Sequence, residues 1–372
     1  MTANSEALQV ITRLTPLADV LALVDRRVRP VAPREIEVAA AAGRVLAADI
    51  VAPARPATAI ALLDGWALRA DDTLGAGGYA PALLLQAPPR VDVGQRMPPG
   101  TDSVAPLDAV TASGSGAEAL AALAPGDGVL PAGGDCDRSL ALGRAGEFAS
   151  AARVAALAAA GIAHVSLREP RLRVLPLRDD AIVNAAARLV ASDIGRRGGV
   201  AQLDLAEQGL RNALADETAD AIIAVGGTGS GRNDNSVDAL SRRGEVAVHG
   251  IALTPGETAA LGFVGPRPVL LLPGRLDAAL SVWLVVGRHL LARLCGRSDD
   301  APAAMATLTR KVTSTVSLAE FVPVRRSGGG VEPLAAKYLP LSALARADGW
   351  ILVPAESEGY PAGASVTVRA WP

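Results

Sequence analysis

Short apolar runs, each bounded by glycine, proline or charged residues, recur through the second half of the chain. Residues 172–177, 200–203 and 219–225 are such runs, and apolar residues at helical spacing fill the intervals at 182–195 and 207–215. Apolar runs of about four to eight residues are typical of strands buried on both faces of a parallel sheet. The alternation of strand and helix predicts a doubly wound parallel α/β unit with right-handed crossovers.

The pattern changes on either side of this unit. Residues 14–28 repeat apolar side chains at helical spacing, and Thr15 and Pro16 suit the cap and first turn of a helix. Residues 73–137 are rich in glycine and proline and predict a small, irregular β domain. Runs that alternate apolar and polar residues, at 311–316 and 365–368, predict a compact all-β domain at the C-terminus.

A length of 372 residues agrees with several domains, on a prior of about 150 residues for each. The composition shifts divide the chain into four parts. We expect a discontinuous helical N-terminal domain (1–48 with 138–168), a small β domain (49–137), the α/β domain (169–300) and a C-terminal β domain (301–372).

The apolar run at 219–225 leads into the glycine-rich stretch GGTGSGRND, residues 226–234. Glycine lets a backbone adopt positive φ and approach a ligand closely. A helix is predicted over 235–240, with Asp234 or Asn235 as its N-cap. The free N–H groups of a helix start can bind an anion, which makes Asp234 a candidate metal or substrate ligand. A tight strand-to-helix turn without a ligand is the alternative.

Three other aspartates are placed where chemistry could occur. Asp64 lies in a turn within the apolar segment 59–68, and Asp135 follows two glycines. Each of these two acids either caps its own turn or points at a ligand, and capping is the simpler interpretation. Asp180 follows the strand predicted over 172–177, and open α/β sheets bind ligands at the carboxyl ends of their strands.

The composition limits the class of protein. Half of the residues are apolar and the formal net charge is −2, which argues against nucleic acid as the main partner. Cys136 and Cys295 lack the spacing of a zinc or disulfide motif, as expected in a reducing cytoplasm. Residues 1–10 lack a signal-peptide pattern. No apolar run approaches the roughly 18 residues of a membrane span, so no membrane partner is expected.

Six segments resemble, in order, motifs of the molybdopterin molybdenumtransferase family, which includes MoeA and the gephyrin E domain. ALLDGWAL resembles the family's DGYA segment, VDVGQRMPPGTDSV its TGAxxPxGADAV segment, and PLRDD its STGDEL segment. GGTGSGRND resembles GGxSxGxxD, TPGET stands where KPGKP is expected, and LLLPGRLDA stands where LPGNPVS is expected. Because all six keep the family order, the chain is identified as a member.

The resemblance implies a fold and a reaction. The α/β domain would bind molybdopterin, and the C-terminal domain would be barrel-like. The family inserts molybdate into the dithiolene of molybdopterin, which arrives as its AMP conjugate, and cleaves the adenylate with a divalent cation, expected here to be Mg²⁺. The implied catalytic residues are Asp64, Asp135, Asp180 and Asp234, with Asp180 and Asp234 as metal ligands. The implied cofactor-binding residues are Gly226, Gly227, Thr228, Gly229, Ser230, Asn184, Pro273, Gly274 and Arg275.

The chain departs from the family pattern mainly where oxyanions would bind. Both lysines of KPGKP are replaced, by Thr254 and Glu257, and the asparagine and proline of LPGNP are Arg275 and Leu276. Glu257 reverses a charge that would face an anion. We therefore expect weak molybdate binding, with pterin phosphate still bound at residues 226–230.

These departures leave more than one function open. The chain is either a molybdenumtransferase or a non-catalytic relative that binds molybdopterin or the finished cofactor and delivers it. A structural relative that pairs with the true transferase is a third alternative. The resemblance also implies a homodimer whose site is completed across subunits, and a molybdoenzyme or cofactor-synthesis protein as a further partner.

Overall fold

The computed structural model describes residues 9–113, 116–204, 209–298 and 303–372. Described residues 9–51 form one α-helix and short strands, namely β1 (Thr15–Pro16), α1 (Leu17–Arg27), β2 (Arg34–Glu37), β3 (Val45–Leu46) and β4 (Ile50–Val51). The helix expected from residue 14 begins only at Leu17. Thr15 and Pro16 are instead extended and pair in parallel with Ile251 and Ala252. The prediction of Thr15 as a helix cap was therefore wrong.

The next ninety residues contain only short strands and 3₁₀ turns within their described parts. The strands are β5 (Ile60–Ala61), β6 (Gly65–Leu68), β7 (Ala82–Leu84), β8 (Arg90–Val91), β9 (Ser103–Pro106), β10 (Val110–Ser113), β11 (Gly116–Ala119), β12 (Val129–Leu130) and β13 (Ala141–Gly143). They pair as the small sheets β8-β6-β9, β10-β11-β7 and β12-β5, while β13 pairs with β4. Two small apolar clusters, one around Leu68 and one around Ala67, lie between these sheets. This agrees with the irregular β character read from the glycine and proline content.

The chain then returns to the N-terminal strands. Helix α2 (Ala151–Ala159) begins where Ser150 Oγ accepts a hydrogen bond from Arg153 N, at 3.1 Å. Strand β14 (His164–Arg168) pairs antiparallel with both β2 and β3. The limits that the sequence set for the four domains stay a prediction.

Residues 171–294 form the α/β unit that holds the candidate site. Its elements are β15 (Arg171–Pro176), α3 (Ala181–Arg196), β16 (Val200–Leu203), α4 (Gly209–Ala215), β17 (Ala221–Val225), α5 (Ser236–Ser241), β18 (Glu245–His249), β19 (Ile251–Thr254), β20 (Ala260–Val264), β21 (Arg267–Leu272), α6 (Leu276–Val282) and α7 (Arg288–Leu294). The six-stranded sheet has the order β16-β15-β17-β21-β20-β18. Its first four strands are parallel, as predicted, and β20 and β18 extend it antiparallel.

Helices cover both faces of this sheet, which explains the nearly continuous apolar runs. Ile223 and Leu270 pack with α3, α6 and α7 on one face, whereas Ile222 and Val269 pack with α4 and α5 on the other. Because successive strand residues point to opposite faces, every position of β17 is buried.

Strand β19 is not part of this sheet and pairs instead with a strand of the C-terminal part of the chain. The elements there are β22 (Ala303–Thr307), β23 (Val312–Thr313), β24 (Ala319–Ser327), β25 (Gly330–Pro333), α8 (Leu341–Arg346), β26 (Gly349–Val353), β27 (Gly359–Tyr360) and β28 (Ser365–Ala370). The main sheet runs β1-β19-β24-β26-β28-β22, with β25 also on β24. It is a curled sheet, as expected for a barrel-like domain, but two of its strands come from earlier in the chain. Helix α8 also corrects the expectation that this region is purely β.

None of the helices formed by the described residues has both the length and the apolar character that a bilayer crossing requires. Cys136 and Cys295 are buried free thiols. Burial raises the pKa of the Cys295 thiol to about 12, which suits an unreactive packing residue.

Candidate functional site

A cavity of about 570 Å³ lies where β15, β17 and β21 end at their carboxyl ends. Ligands of open α/β sheets bind at this edge. It brings together segments that are up to about a hundred residues apart in the chain. The lining residues are Arg178, Asp180, Ala181, Ile182, Gly227, Thr228, Gly229, Asp234, Thr258, Pro273, Gly274 and Arg275.

The glycine loop follows β17 and forms one wall. Gly226 and Gly227 have φ values of +106° and +70°, which residues with a Cβ rarely adopt. A Cβ added at Gly229 would lie 2.8 Å from Oδ2 of Asp234, so the loop packs directly on that carboxylate. Oδ2 of Asp234 also accepts a hydrogen bond from Gly231 N at 3.1 Å. Asp234 therefore closes the loop as a turn cap while it lines the cavity.

The start of α5 is not open to an anion, which corrects the prediction. Asn235 occupies the N-cap position without a side-chain cap, and neither it nor Asp234 caps the helix. Oε1 of Gln9 instead accepts hydrogen bonds from Val237 N at 2.7 Å and Asp238 N at 3.0 Å. Since α5 is only one and a half turns long, this distant carboxamide takes the position that a phosphate would need.

Gln9 also holds the loop itself. Its Nε2 donates to the carbonyl oxygens of Gly227 and Gly229, both at 3.0 Å. Ser230 Oγ donates to the backbone oxygen of Gln9 at 2.7 Å. Ser230 thus faces the N-terminal segment and does not line the cavity. No local pattern around residue 9 indicated this contact.

A pair of threonines connects the glycine loop to the loop after β19. The hydroxyl oxygens of Thr228 and Thr258 are 3.0 Å apart, and His249 Nε2 lies 3.1 Å from the Thr228 carbonyl oxygen. Thr228 is buried, whereas Thr258 is partly exposed in the cavity wall. Thr258 was not among the predicted site residues, although it belongs to the TPGET segment.

The opposite wall is the start of α3. Oδ1 of Asp180 caps this helix by accepting from Ile182 N and Val183 N, at 3.1 and 2.9 Å. Its Oδ2 lies 3.4 Å from Nε of Arg178, whose side chain is about half exposed. Asn184, predicted to bind the cofactor, donates from Nδ2 to Asp179 and does not line the cavity.

Arg275 completes the site together with Arg178. Its guanidinium forms an ion pair with the buried carboxylate of Asp277, at 2.5 Å. The hydrogen bond that Arg275 donates to Asp277, followed by the negative charges of Asp277 and Glu257, raises the pKa of Arg275. Asp277 also accepts from Leu339 N at 3.2 Å, and the Tyr338 ring centre lies 5.1 Å from the Arg275 guanidinium carbon. The C-terminal region thereby fixes the direction of Arg275.

The two residues at the lost lysine positions lie outside the cavity wall. Thr254 is buried at the end of β19. Oε2 of Glu257 accepts a hydrogen bond from the backbone N of Gly256 at 3.0 Å. Glu257 still acts electrostatically on Arg275, so its charge remains close to the site.

Asp64 and Asp135 lie on the small β sheets, and neither lines the cavity. Asp64 is exposed, and its Oδ1 accepts from Val93 N at 2.8 Å, which is the turn-capping role. Asp135 is also exposed, with its backbone N bonded to Arg55 O at 2.9 Å. The structure therefore brings Asp180 and Asp234 together and leaves the other two predicted acids elsewhere on the surface.

The cavity combines backbone donors, two arginines and two carboxylates. N–H groups and guanidinium groups bind phosphate or another oxyanion, and carboxylates bind a hard cation. Among the described residues, no three His, Cys, Asp or Glu side chains cluster as a metal centre. A cation here would need ligands from the substrate as well.

Comparisons with known proteins extend over almost the whole chain. Three family models match in succession: "MoeA N-terminal region (domain I and II)" at residues 6–161, "Probable molybdopterin binding domain" at 180–293 and "MoeA C-terminal region (domain IV)" at 305–371. Molybdopterin molybdenumtransferase 2 of Mycobacterium tuberculosis is 27% identical, covering 80% of this chain and 84% of that protein.

Two further relatives give the same result. Molybdopterin molybdenumtransferase 1 of the same organism is also 27% identical, covering 91% of this chain and 95% of its own. The crystal structure of the molybdopterin biosynthesis moeA protein from Pyrococcus horikoshii superposes with a TM-score of 0.76 at 21% identity, covering 96% of this chain and all of that one. At this identity the structural match shows the fold.

Proposed function

The chain belongs to the molybdopterin molybdenumtransferase (MoeA) family, and from this membership we propose that it inserts molybdate into adenylylated molybdopterin during molybdenum cofactor biosynthesis. The observation that carries the proposal is the single cavity shared by the glycine loop, Arg178, Arg275, Asp180 and Asp234. Its volume of about 570 Å³ lies within the usual range of small-molecule sites.

The anionic part of the substrate would meet the glycine loop and the two arginines. Gly227, Thr228 and Gly229 bring backbone close to the ligand, and a Cβ at Gly274 would lie 3.1 Å from Arg178 Nη2. Arg178 and Arg275 then provide the positive charge that the absent lysines would have given. Guanidinium groups suit this role because they bind oxyanions with two parallel hydrogen bonds.

Mg²⁺ belongs to the same proposal. Asp180 and Asp234 each use one carboxylate oxygen for a backbone cap, which leaves the second oxygen for a cation. Mg²⁺ is commonly held by one or two carboxylates together with substrate phosphates and water, so two acids are sufficient. The Arg178 guanidinium, 3.4 Å from Asp180, would compete with the cation until a phosphate draws it away. When bound, Mg²⁺ would neutralise charge on the phosphate.

Asp64 and Asp135 could take part in the proposed reaction only if the protein is a dimer. Both are exposed on the small β sheets and away from the cavity lining of their own chain. We propose that the protein is a homodimer in which these acids reach the cavity of the partner subunit. A cytoplasmic location and contact with a molybdoenzyme or another cofactor-synthesis protein complete the proposal.

The decisive experiment is a single-turnover assay with the purified full chain, adenylylated molybdopterin, molybdate and Mg²⁺. Molybdenum bound to the pterin and AMP released are measured together. We expect both products from the native chain, a loss of at least tenfold in Asp234→Asn and Arg178→Gln, and no change in Arg346→Gln, an exposed arginine on α8. Bound pterin without molybdenum insertion or AMP release would instead establish the non-catalytic carrier.

A further inference from the structure

A second cavity, of about 700 Å³, lies at the opposite end of the six-stranded sheet, where β17 and β21 begin. The end of α1, the end of α4, the turn that follows α5, the turn between β20 and β21, and the last residue of α7 surround it. It shares no lining residue with the glycine-loop cavity. The reaction proposed above does not use it.

A buried arginine lies at its floor. Arg267 is only 9% exposed, and its Nη2 donates to Leu214 O at 2.7 Å. Its Nε and Nη1 are buried and have no hydrogen-bond partner in the described parts of the chain. Desolvation lowers the pKa of this guanidinium, while the charges of Asp216 and Glu217 act in the opposite direction. Arginine remains protonated even so, and a buried cation without an adjacent counter-ion is unfavourable.

The other charged groups around the cavity are mostly positive. Arg29 and Arg243 are exposed at its mouth. Arg27 is paired with Glu245 at 3.0 Å and lies over the Phe263 ring. Two acids also line the cavity: Glu217 is exposed, and Asp220 accepts from Arg171 N at 2.7 Å. Four arginines and two acids line the cavity, so a positive balance remains even with Arg27 paired to Glu245.

One wall is apolar and could hold the uncharged part of an organic molecule. It is formed by Val28, Val31, Leu214, Val264, Pro266 and Pro268. Specific small-molecule sites combine an apolar lining with a few charged groups in this way, and their volumes commonly reach this size.

We propose that this cavity binds a small organic anion, with its phosphate or carboxylate group facing the arginines above the buried charge of Arg267 and its uncharged part against the apolar wall. The anion would accept hydrogen bonds from Nε or Nη1 of Arg267, which are buried and have no partner among the described residues. The site is separate from the one used in the proposed reaction, so it could bind a ligand whether or not that reaction occurs.

Isothermal titration calorimetry of the full chain tests this with four probes: inorganic phosphate, phenyl phosphate, benzoate and phenol. Phenyl phosphate and benzoate carry the same ring with different anionic groups, and phenol carries the ring without a full charge. We expect phenyl phosphate or benzoate to bind, with the tighter one identifying the preferred group, and phenol not to bind.

The variants locate the binding. Arg267→Met and the double variant Arg29→Gln with Arg243→Gln should each weaken binding by about tenfold, equivalent to about 1.4 kcal/mol. Arg178→Gln, in the glycine-loop cavity, and Arg346→Gln, on exposed α8, should leave the affinity unchanged. If Arg267→Met does not fold, the double variant decides the question, because both of its side chains are exposed.

Three results would overturn the proposal: no saturable binding at millimolar probe, equal affinity in the double variant, or a loss of affinity in Arg178→Gln alone. The last result would place the probe in the glycine-loop cavity. Of these variants, only Arg178→Gln alters the glycine-loop cavity. A negative binding result with the others therefore does not argue against the proposed molybdenumtransferase activity.

Discussion

At the residue scale, each aspartate of the site uses one oxygen for a backbone cap and keeps the second outside that cap. Asp180 caps α3 and Asp234 caps the glycine loop, each through one carboxylate oxygen. Sequence reasoning treated capping and ligand binding as alternatives for Asp64 and Asp135, but a carboxylate has two oxygens and can do both. Asp64 shows the capping contact as well, yet it lies away from the cavity of its own chain.

Glu257 leads to a prediction about oxyanion affinity. Its carboxylate acts on Arg275, which lines the cavity, so an anion bound at Arg275 also feels this negative charge. Two unit charges about 4 Å apart interact by roughly 4 kcal/mol at an effective dielectric near 20, and less at larger separation. Glu257→Gln should therefore bind molybdate several-fold more tightly in calorimetry than the native chain.

The double variant Thr254→Lys with Glu257→Lys should increase this effect and raise molybdenum incorporation. Glu356→Gln, an exposed acid after β26, is the matched control. Equal molybdate affinity in the native chain and in Glu257→Gln would mean that Glu257 does not act on the bound anion.

At the element scale, the glycine loop depends on the segment before α1. Gln9 supplies both the cap of α5 and donors to two loop carbonyls. The following residues pack against Gly250, where an added Cβ would lie 2.5 Å from Ile11. The loop and the N-terminal segment therefore form one unit, although they are more than two hundred residues apart.

Replacing Gln9 should loosen this unit. In Gln9→Ala the loss of a helix cap is worth about 1 kcal/mol locally, and hydrogen exchange of residues 227–238 should become faster. Gln9→Glu keeps the acceptor for Val237 N but loses both donors to the loop, so its exchange should increase mainly at 227–230. Gln95→Ala, which removes a glutamine that caps a turn of the small β domain, should leave these peptides unchanged. Equal hydrogen-exchange rates of residues 227–238 in all three variants would contradict the contact between Gln9 and the glycine loop.

Helix α3 is joined to the π-helical turn Trp283–Gly287 and to α7 by one buried carboxylate. Asp193 accepts from Arg288 Nε at 2.8 Å and from Trp283 Nε1 at 2.9 Å, and Arg288 also donates to Ala370 O. Burial alone would raise the pKa of Asp193, but the hydrogen bond and charge of Arg288 and the charge of Arg197 hold it below its ordinary value.

This lowered pKa gives a pH dependence with a definite sign. The carboxylate contributes stability above the pKa that it has in the unfolded chain, about 3.9, and the contribution is lost as pH falls through the lower folded value. Asp193→Asn should lose about 3–5 kcal/mol in urea unfolding at pH 7, as expected when a buried pair is broken.

The difference between Asp193→Asn and the native chain should shrink below about pH 4, where the carboxylate becomes protonated in the unfolded chain, and vanish once pH falls below the lower folded pKa. Asp238→Asn, in an exposed pair on α5, should change stability by less than about 0.5 kcal/mol. A constant difference down to pH 3 would show that the ionised form of Asp193 is not what stabilises the junction.

At the scale of the whole molecule, distant parts of the chain share sheets. The C-terminal sheet takes β1 from the N-terminal region and β19 from the α/β unit. Asp277 at the cavity also bonds Leu339 of the C-terminal region. The site is therefore held by three regions, and the fourth, the small β sheets with the exposed Asp64 and Asp135, contributes no residue to the cavity lining.

A mixing experiment tests the proposed dimer. Asp64→Asn and Asp234→Asn should each be nearly inactive alone. If each site uses Asp234 of one subunit and Asp64 of the other, a 1:1 mixture after subunit exchange should recover about a quarter of native activity, because half of the dimers carry one intact site. Light scattering should show a dimer at micromolar concentration. A monomer, or no recovery in the mixture, would contradict this arrangement.

Local pattern determined the elements of the α/β unit and the place of the glycine loop. The strand at 200–203 and the helix near 182–195 were predicted almost to the residue, because the apolar pattern that indicates them involves only neighbouring residues. The end of the strand predicted over 172–177 also indicated the carboxyl edge of the sheet as the ligand site. These inferences needed only neighbours in the chain.

Tertiary structure alone decided what distant residues do to one another. In the folded chain Thr15 pairs with Ile251, β19 is part of the C-terminal sheet, and Gln9 occupies the position expected for an anion. The first and last of these contacts join residues more than two hundred positions apart, and all three depend on which surfaces remain to be buried once the local elements have formed. A single sequence carries no periodic signal for them, so only the folded chain shows which charges and donors meet.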